Sequence, residues 1–473
     1  MPTDELRRHG RAALDWVADY LDRVGDLPVL PRVGPGDIRR RLPSSPPVRG
    51  EPVEAILADL DRLLDGVTHW NHPRFFAYFA ITGSGPGILA ELVTAALNLN
   101  PMLWRTAPAA TELEQVVTDW LRQLLGLPSA FRGVIFDTAS TSTLVALAAA
   151  RERELPGVRE TGLAGVAVRG RVYASGEVNA SVEKALITLG LGRDGLRTVA
   201  TDAAFRMQPG ALAEAIDDDV RAGWLPLAVV ATVGTTSSTS IDPLTAVAEV
   251  CRRHRVGADP IWLHVDGAYG GIAAVAPELR HVLDGASQAD SVVVNPHKWL
   301  FTPIGCSTLY VRDVGALKRV FSLAPVYLRT DDGVEDYTDW GFQLGRRFRA
   351  LKLWMVLRYF GADGLAARIR EHVRLAQLVA DWVDRHDRFE RVAPVPLSTV
   401  CLRARYGVDP VEEDRRNGAL LDAVNASGTA FLSHTQLRGR AVLRIAIGNL
   451  RTTEEDVRAT LEVLEREAER LVG

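Results

Sequence analysis

The sequence predicts an α/β protein built on a mostly parallel β-sheet, and three observations support this prediction. Continuously apolar runs such as "FRGVIF", "LAVVATVGT" and "SVVVNPHKW" recur from about residue 110 to residue 310, and helical stretches separate them. Strands buried on both faces read in this way, whereas half-exposed antiparallel strands alternate apolar and polar residues. The 473 residues also suffice for two or three packed units. We therefore expect a central sheet covered by helices on both faces.

Changes along the chain in the pattern of apolar, polar and proline residues predict three domains. Residues 1–80 read as an N-terminal helical arm, in which the proline-rich stretch "LPVLPRVGPGDIRRRLPSSPPVRGEP" separates two amphipathic helices. Residues 81–358 carry the predicted sheet. Residues 359–473 read as a small α+β domain, because "STVCLRARY" and "AVLRIAIGN" alternate apolar and polar positions. The chain closes on a helix for which Thr453 and Asp456 form a predicted capping box.

Composition narrows the functional class. The formal net charge of −4 gives no basic surface for nucleic acid. The N-terminal residues "MPTDELRRHGRAALDW" contain no continuous apolar stretch, so we expect neither a signal peptide nor a membrane anchor. The three cysteines are far apart, which fits reduced thiols better than a disulfide framework or a zinc site. We therefore expect a cytoplasmic protein without a metal, nucleic-acid or membrane partner.

Polar residues gather where the predicted strands stop, which is where ligands bind in such sheets. One strand ends in Asp266, in "WLHVDGAYGG", and another ends in Lys298, about one strand–helix–strand unit later. The chain has only four lysines, and lysine, unlike arginine, loses its proton when it is desolvated. Lys298 is therefore predicted to supply a neutral amine to chemistry, with a solvated lysine as the alternative. The remaining lysines, in helical contexts, are predicted to lie on the surface: Lys184, Lys318 and Lys352.

A phosphate site is the third predicted component. The segment "FDTASTSTLVALAAA" places small hydroxyl residues at the start of a helix, where free backbone N–H groups suit an anion, although helix capping explains them equally well. The turn "ATVGTTSSTS" is by itself only polar. An acid, an amine and a phosphate site at one sheet edge together fit pyridoxal 5′-phosphate (PLP). The lysine makes the Schiff base, the acid keeps the ring nitrogen protonated, and the helix holds the phosphate.

The chain resembles the group II PLP-dependent decarboxylases, particularly the aromatic L-amino-acid decarboxylases, over nearly its whole length. The segments that carry the similarity are "GVTHWNHPRFFAYF", "PAATELEQVVTDWL", "HVDGAYGG", "NPHKWL", "DYTDWGFQLGRRFRALKLW" and "IGNLRTTEEDV". The resemblance implies PLP fold type I and a homodimer whose active sites lie at the subunit interface. It also implies that the proline-rich arm wraps the partner subunit.

The resemblance further implies roles for individual residues. Lys298 matches the Schiff-base lysine, and Asp266 matches the partner of the pyridine nitrogen. The other implied cofactor-binding positions are Ala139, Ser140, Asn179, Thr236, Ala268, Asn295 and His297. The implied substrate-binding positions are Trp70, Tyr78, Phe79, Ile81 and His297. Tyr337, in "DDGVEDYTDW", matches a tyrosine on a mobile loop that returns a proton to the α-carbon after CO₂ leaves.

The leading functional prediction is decarboxylation of an aromatic L-amino acid, of the tyrosine, DOPA, phenylalanine or tryptophan class, to its amine. Asn179 stands where the family usually has a ring-stacking histidine, and an amide neither stacks as imidazole does nor relays a proton. The alternative is therefore an aldehyde synthase, which consumes O₂ and releases aldehyde, ammonia and hydrogen peroxide. The retained Tyr337 favours the amine. A catalytically silent PLP-binding dimer is a third hypothesis, disfavoured because Lys298, Asp266 and Tyr337 are all present.

Overall fold

The computed structural model describes residues 1–323 and 333–472. These residues form two compact units. The larger comprises Ile81–Arg385 and Arg391–Leu402, and the smaller comprises Met1–Ala80, His386–Glu390 and Arg403–Gly473. Within the described residues, no helix is long and apolar enough to cross a membrane.

The larger unit contains a seven-stranded sheet in the order β1-β9-β8-β7-β4-β2-β3. Its strands are β1 (Arg132–Phe136), β2 (Arg169–Ser175), β3 (Leu196–Val199), β4 (Trp224–Thr232), β7 (Trp262–Asp266), β8 (Ser291–Val294) and β9 (Ser307–Val311). The pairs β2–β3, β2–β4, β4–β7 and β7–β8 are parallel, and only β9 runs antiparallel to its neighbours β1 and β8. The mostly parallel sheet predicted from the apolar runs is thus confirmed.

Helices pack against this sheet. The helices of the larger unit are α4 (Gly85–Leu97), α5 (Pro108–Leu125), α6 (Ala139–Glu154), α7 (Val158–Thr161), α8 (Ser181–Thr188), α9 (Pro209–Arg221), α10 (Leu244–Arg253), α11 (Pro296–Trp299), α12 (Val314–Phe321) and α13 (Ala350–Arg385). A small hairpin is formed by β5 (Arg255–Val256) and β6 (Asp259–Pro260). Alanines fill the buried side of α6, and their small side chains allow that helix to lie close to the sheet.

The register of the parallel strands aligns their carboxyl ends. Thr232 pairs with Asp266, and Asp266 pairs with Val293, so β4, β7 and β8 finish at one level. Every residue of β7 and β8 is buried, as expected for central strands packed on both faces. β1 runs parallel to β8 across the intervening β9 and therefore ends at the same edge, at Phe136.

The smaller unit contains elements from both ends of the chain. Its helices are α1 (Thr3–Arg23), α2 (Asp37–Arg41), α3 (Val53–Leu64), α14 (Pro410–Ala426) and α15 (Glu454–Arg470). A four-stranded sheet has the order β10-β11-β13-β12, with β10 (Phe389–Arg391), β11 (Thr399–Ala404), β12 (Ser433–Leu437) and β13 (Arg440–Ala446); β12 and β13 lie wholly in the smaller unit, whereas Arg391 and residues 399–402 are assigned to the larger one. The capping box at the start of α15 is confirmed, because Thr453 and Asp456 each accept a hydrogen bond from the other's backbone N–H.

The two compact units differ from the three predicted domains. The first segment of the smaller unit ends at Ala80, and the larger unit begins at Ile81. The boundary predicted after residue 358 falls inside α13, which belongs to the larger unit throughout. Gly361, with φ of +63°, kinks this helix, and that kink accounts for the change of pattern in the sequence. The N-terminal arm and most of the C-terminal domain form one unit, since Asn449 Nδ2 donates to the carbonyl oxygens of Trp70 and His72.

Candidate active site

Asp266 ends strand β7 and is only 5% exposed. Its Oδ1 accepts a hydrogen bond of 3.1 Å from the backbone N–H of Ala268. A carboxylate in such a position needs further donors or a cationic partner to offset its desolvation. The pairing of Asp266 with Thr232 and Val293 places the acid at the carboxyl end of β7, between the ends of β4 and β8.

Lys298 lies on α11, the single turn that follows β8. Its backbone N–H donates to the carbonyl of Asn295 at 2.9 Å, and the residue is half-buried. The adjacent Trp299 anchors this turn, because its ring stacks on Tyr269 at 4.8 Å between centroids and its Nε1–H donates to His372 Nδ1 at 2.9 Å. The predicted acid and amine thus follow neighbouring parallel strands at one edge of the sheet.

Asn295 precedes α11 and is 2% exposed. Its backbone N–H donates to the carbonyl of Ala268 at 3.2 Å, which links the segments after β7 and β8. The side-chain Oδ1 is buried and has no hydrogen-bond partner in the structure. Because buried polar atoms are nearly always satisfied, this oxygen indicates a position completed by a bound group.

His297 is a neutral imidazole whose protonation is set by its surroundings. Burial, reinforced by the charge of Lys298, lowers the pKa of His297 to about 3. Its Nδ1 accepts a hydrogen bond of 3.1 Å from the backbone N–H of Cys306. The proton of the neutral ring therefore lies on Nε2, which makes Nε2–H the donor that His297 can offer.

The amino end of α6 is the expected phosphate position. Thr138 precedes the helix without a side-chain cap, so the backbone N–H groups of Ala139 and Ser140 are not occupied by it. Together with the helix dipole, such N–H groups favour an anion. Two contacts tie α6 to the sheet: Ser142 Oγ lies 2.9 Å from Ser307 Oγ, and Thr143 Oγ1 lies 3.3 Å from His264 Nε2.

Asn179 and Thr236 join the loops after β2 and β4. Asn179 Nδ2 donates to Thr236 Oγ1 at 3.1 Å, and Asn179 Oδ1 accepts from the N–H of Ser181 at 2.9 Å. Gly234, with φ of +87°, makes the turn that leads to Thr236. A Cβ at Gly234 would lie 2.8 Å from the backbone nitrogen of Gly270, so only glycine fits this close approach.

These residues fit PLP by the chemistry of their donor set. Four features at one sheet edge match parts of the cofactor. The buried Asp266 suits the ring nitrogen, and the half-buried Lys298 suits the aldehyde. The uncapped start of α6 suits the phosphate anion, and the unpartnered Oδ1 of Asn295 can accept a hydrogen bond. Lys298 would carry the cofactor through its amine, and Asp266 would hold a proton at the pyridine nitrogen. When bound, PLP supplies an electron sink for the electron pair that the departing CO₂ leaves behind.

The fold and the site thus define a PLP-dependent enzyme, and comparisons with known proteins are consistent with that class. Residues 35–405 match the pyridoxal-dependent decarboxylase conserved domain. The chain belongs to that family of carboxy-lyases and uses PLP.

Similar proteins match over nearly their whole length. The phenylacetaldehyde synthase of Arabidopsis thaliana is 40% identical over 490 residues, covering 100% of this chain and 97% of that protein. Tyrosine decarboxylase 2 of Narcissus pseudonarcissus is 39% identical over 484 residues, covering 99% and 95%. The crystal structure of Oryza sativa TDC with PLP and tryptamine superposes with a TM-score of 0.96 at 37% identity, covering 100% of this chain and 99% of that one.

The structure corrects the prediction that Tyr337 lies on a mobile loop. Tyr337 begins a short 3-10 helix, is 3% exposed, and packs within the core cluster that includes Trp340 and Phe136. The Arg346 guanidinium lies 4.6 Å from its ring centroid, and burial raises the pKa of the Tyr337 hydroxyl. The Tyr337 hydroxyl thus lies in the core of the larger unit, and its role as a proton donor stays a prediction.

The predicted substrate-binding residues divide between the two units. Trp70, Tyr78 and Phe79 belong to the smaller unit, and Ile81 and His297 belong to the larger one. Within the smaller unit, the Trp70 and Tyr78 rings stack with centroids 6.0 Å apart. Tyr78 is 55% exposed and the Arg444 guanidinium lies 5.2 Å from the Phe79 ring. The role of these residues in substrate binding stays a prediction.

The structure also corrects the placement of one lysine. Lys184 is exposed and Lys318 is half-buried, but Lys352 is only 2% exposed. Its Nζ donates to Glu91 Oε1 and to the carbonyl of Ile304, each at 2.7 Å. The charged residues of "GRRFRALKLW" around Lys352 indicated exposure, but Lys352 is buried near the start of α13 although its neighbour Arg347 is exposed.

Proposed function

We propose that the protein decarboxylates an aromatic L-amino acid to its amine and CO₂. The observation that carries the proposal is the placement of Lys298 and Asp266 after neighbouring strands of one sheet edge, in a chain that matches aromatic amino-acid enzymes end to end. In this proposal Asp266 holds the ring-nitrogen proton, the start of α6 holds the phosphate, and His297 offers Nε2–H to the substrate. The family resemblance also assigns Trp70 and Tyr78 to an aromatic substrate side chain, and within the smaller unit their rings stack with centroids 6.0 Å apart.

The test is product identification with tyrosine, DOPA, phenylalanine and tryptophan as separate substrates. We expect CO₂ and the matching amine from at least one of them, and no turnover by Lys298→Ala. Release of CO₂ from none of the four would refute the proposal. Glutamate serves as the control substrate, because its side chain is not aromatic.

Asn179 supports a second candidate, an aldehyde synthase. In that reaction the amino acid, O₂ and water give aldehyde, CO₂, ammonia and hydrogen peroxide, and O₂ accepts the two electrons that otherwise stay in the amine. The amide of Asn179 is engaged on both sides, by Thr236 and by the N–H of Ser181, and it has no proton to relay. Because Tyr337 lies in the core, its retention no longer favours the amine. Stoichiometric peroxide under air identifies this reaction, and turnover without oxygen uptake eliminates it.

We also propose that the protein acts as a homodimer, as the family resemblance implies. Helix α4 exposes Leu89, Leu92, Val93 and Leu97, which recur at the spacing of one helical face. Apolar stripes of this kind commonly mark interaction surfaces. Sedimentation equilibrium should give twice the chain mass of 51.6 kDa, and the double variant Leu92→Glu, Val93→Glu should sediment as a monomer. A wild-type monomer at micromolar concentration would contradict the dimer.

A further inference from the structure

Lys352 is a buried lysine that has no assigned role in the proposed reaction. It lies in the first turn of α13 with 2% exposure, and lysine is almost never buried this deeply unless it is paired. Its charge is matched by Glu91 of α4, which lies 2.7 Å away and which Arg347 also contacts. The second contact of Nζ is with a backbone carbonyl, that of Ile304, again at 2.7 Å.

That carbonyl belongs to the turn between α11 and β9. The turn is unusual in its backbone, since Phe301 has φ of +55° and Gly305 has φ of +88°. A Cβ added at Gly305 would lie 3.7 Å from Lys352 Nζ, which places the ammonium directly against this turn. A left-handed conformation at a bulky residue such as Phe301 costs free energy and persists only where neighbouring contacts hold it. The bond from Lys352 to Ile304 is such a contact.

The same turn determines the hydrogen bonding of His297. The N–H of Cys306 donates to His297 Nδ1 at 3.1 Å, and the N–H of His297 donates to the carbonyl of Cys306 at 3.3 Å. Cys306 is two residues beyond the carbonyl that Lys352 binds. A shift of the turn that removed the Cys306 donor would free Nδ1 to take the proton, and Nε2 would then become an acceptor.

We propose that Lys352, supported by Glu91, is a positioning residue that holds the 304–306 turn so that His297 keeps its proton on Nε2. The catalytic consequence rests on the proposed function, in which His297 borders the substrate. Arginine cannot replace Lys352 here. The compact ammonium of lysine binds the carboxylate and the carbonyl through one nitrogen atom, whereas the planar guanidinium of arginine is wider. This explains why a chain that uses arginine almost everywhere has a lysine at this position.

The direct test reads the His297 tautomer in the full-length holoenzyme, with no substrate added. Protein labelled with ¹⁵N-histidine is compared by long-range ¹H–¹⁵N NMR, and the His297 signals are assigned by their loss in His297→Gln. We expect the Nε2–H tautomer in the wild type, and a mixture or the Nδ1–H tautomer in Lys352→Met. Lys184→Met, which removes an exposed lysine, is the matched control and should leave the His297 signals unchanged.

The kinetic test separates positioning from general stability. Lys352→Met should lower kcat about tenfold or more, with a smaller change in KM, since a misplaced donor acts on the reacting substrate more than on its affinity. Lys352→Arg should not restore kcat. If Lys352→Met does not fold, Lys352→Arg keeps a positive charge beside Glu91 but not the compact contact with the Ile304 carbonyl, and it should shift the tautomer; an unshifted tautomer in Lys352→Arg overturns the proposal.

The two proposals fail in distinguishable ways. If the wild type releases no CO₂ from any aromatic amino acid, the proposed function fails and the tautomer result still stands. If the wild type turns over and Lys352→Met keeps both the Nε2–H tautomer and wild-type kcat, the role of Lys352 is refuted while the function survives.

Discussion

Asn179 donates its side-chain N–H to Thr236 Oγ1 at 3.1 Å, so that one amide joins the loops after two neighbouring strands of the catalytic sheet. The other half of the amide, Oδ1, holds the N–H of Ser181 at the start of α8. Both ends of Asn179 are thus committed to structure. A histidine at this position would replace the amide and its two hydrogen bonds with a titratable imidazole ring.

Asn179→His should shift the products towards the amine. An imidazole can relay a proton to the α-carbon, and a positioned acid of this kind contributes at least about a hundredfold to a proton transfer. We expect hydrogen peroxide per CO₂ to fall at least about tenfold in this variant if the wild type makes aldehyde. The measurement is peroxide and CO₂ from the same reaction under air.

The control for this change is Asn179→Gln, which keeps an amide and should keep the wild-type ratio of products. An equal peroxide yield in wild type and Asn179→His would show that this position does not decide the product. Both Asn179→His and Asn179→Gln disturb the hydrogen bond to Thr236. Comparing the products of these two variants therefore separates the effect of the imidazole from the effect of losing that bond.

Asp266→Asn should abolish most turnover without preventing cofactor binding. The amide cannot hold the ring-nitrogen proton as a carboxylate does, and loss of such a preorganised electrostatic partner costs at least about a hundredfold in kcat. The measurement is kcat together with the visible absorbance of bound PLP. Asp290→Asn is the matched control, because Asp290 caps the opposite end of β7 through the N–H of Leu263 at 2.8 Å. It should lower the melting temperature and leave kcat within about twofold; equal kinetic losses in both variants would contradict the assignment.

Tyr337→Phe should leave the products and kcat nearly unchanged, since the ring lies in the core and only its hydroxyl is removed. The same segment of sequence contains a second tyrosine, Tyr327, which lies outside the described residues. If a tyrosine of this segment returns the proton to the α-carbon, Tyr327→Phe should raise peroxide per CO₂ whereas Tyr337→Phe should not. The paired variants are compared in the same product assay, and a large change in Tyr337→Phe alone would restore the original assignment.

Sequence patterns predicted the sheet well where burial leaves a simple signature. The central strands β7 and β8 are buried at every residue, and their apolar runs therefore identified them. The edge strand β3, "LRTV", is mostly half-exposed, and β12, "SHTQL", is largely polar, so neither produced such a run. The direction of β9 could not be predicted either, because composition does not distinguish a parallel strand from an antiparallel one.

The candidate site was predictable in its chemistry and less so in its supports. Lys298 and Asp266 stand out because an amine and an acid end apolar strands. The burial of Tyr337 and Lys352 depends on contacts with segments distant in sequence, such as the ion pair of Lys352 with Glu91. The charged residues that surround both positions in the sequence indicated exposure instead. Tertiary packing, which no local pattern records, decided these two positions.

Acid should destabilise the protein in a window set partly by His264. This residue is fully buried between Ser291 Oγ at 2.9 Å and Thr143 Oγ1 at 3.3 Å, and burial lowers its pKa to about 4. The folded state thus binds the proton less readily than the unfolded state does, where the pKa is about 6.5. The contribution of His264 to the free energy of unfolding is therefore complete above pH 6.5 and is lost as the pH falls towards 4. The free energy of unfolding should fall by about 2 kcal/mol between pH 7 and pH 5 because of this residue.

The measurement is the urea-unfolding free energy of the wild type and His264→Gln at pH 7 and at pH 5. The variant loses packing and hydrogen bonds and should be less stable at both values, but its loss between them should be smaller by about 2 kcal/mol. Lowered pKa values of His72 and His297 add slopes of the same sign, and they are present in both proteins, so the difference isolates His264. Parallel curves for the two proteins would mean that the folded and unfolded states bind the His264 proton equally well, and the lowered pKa of His264 would then be contradicted.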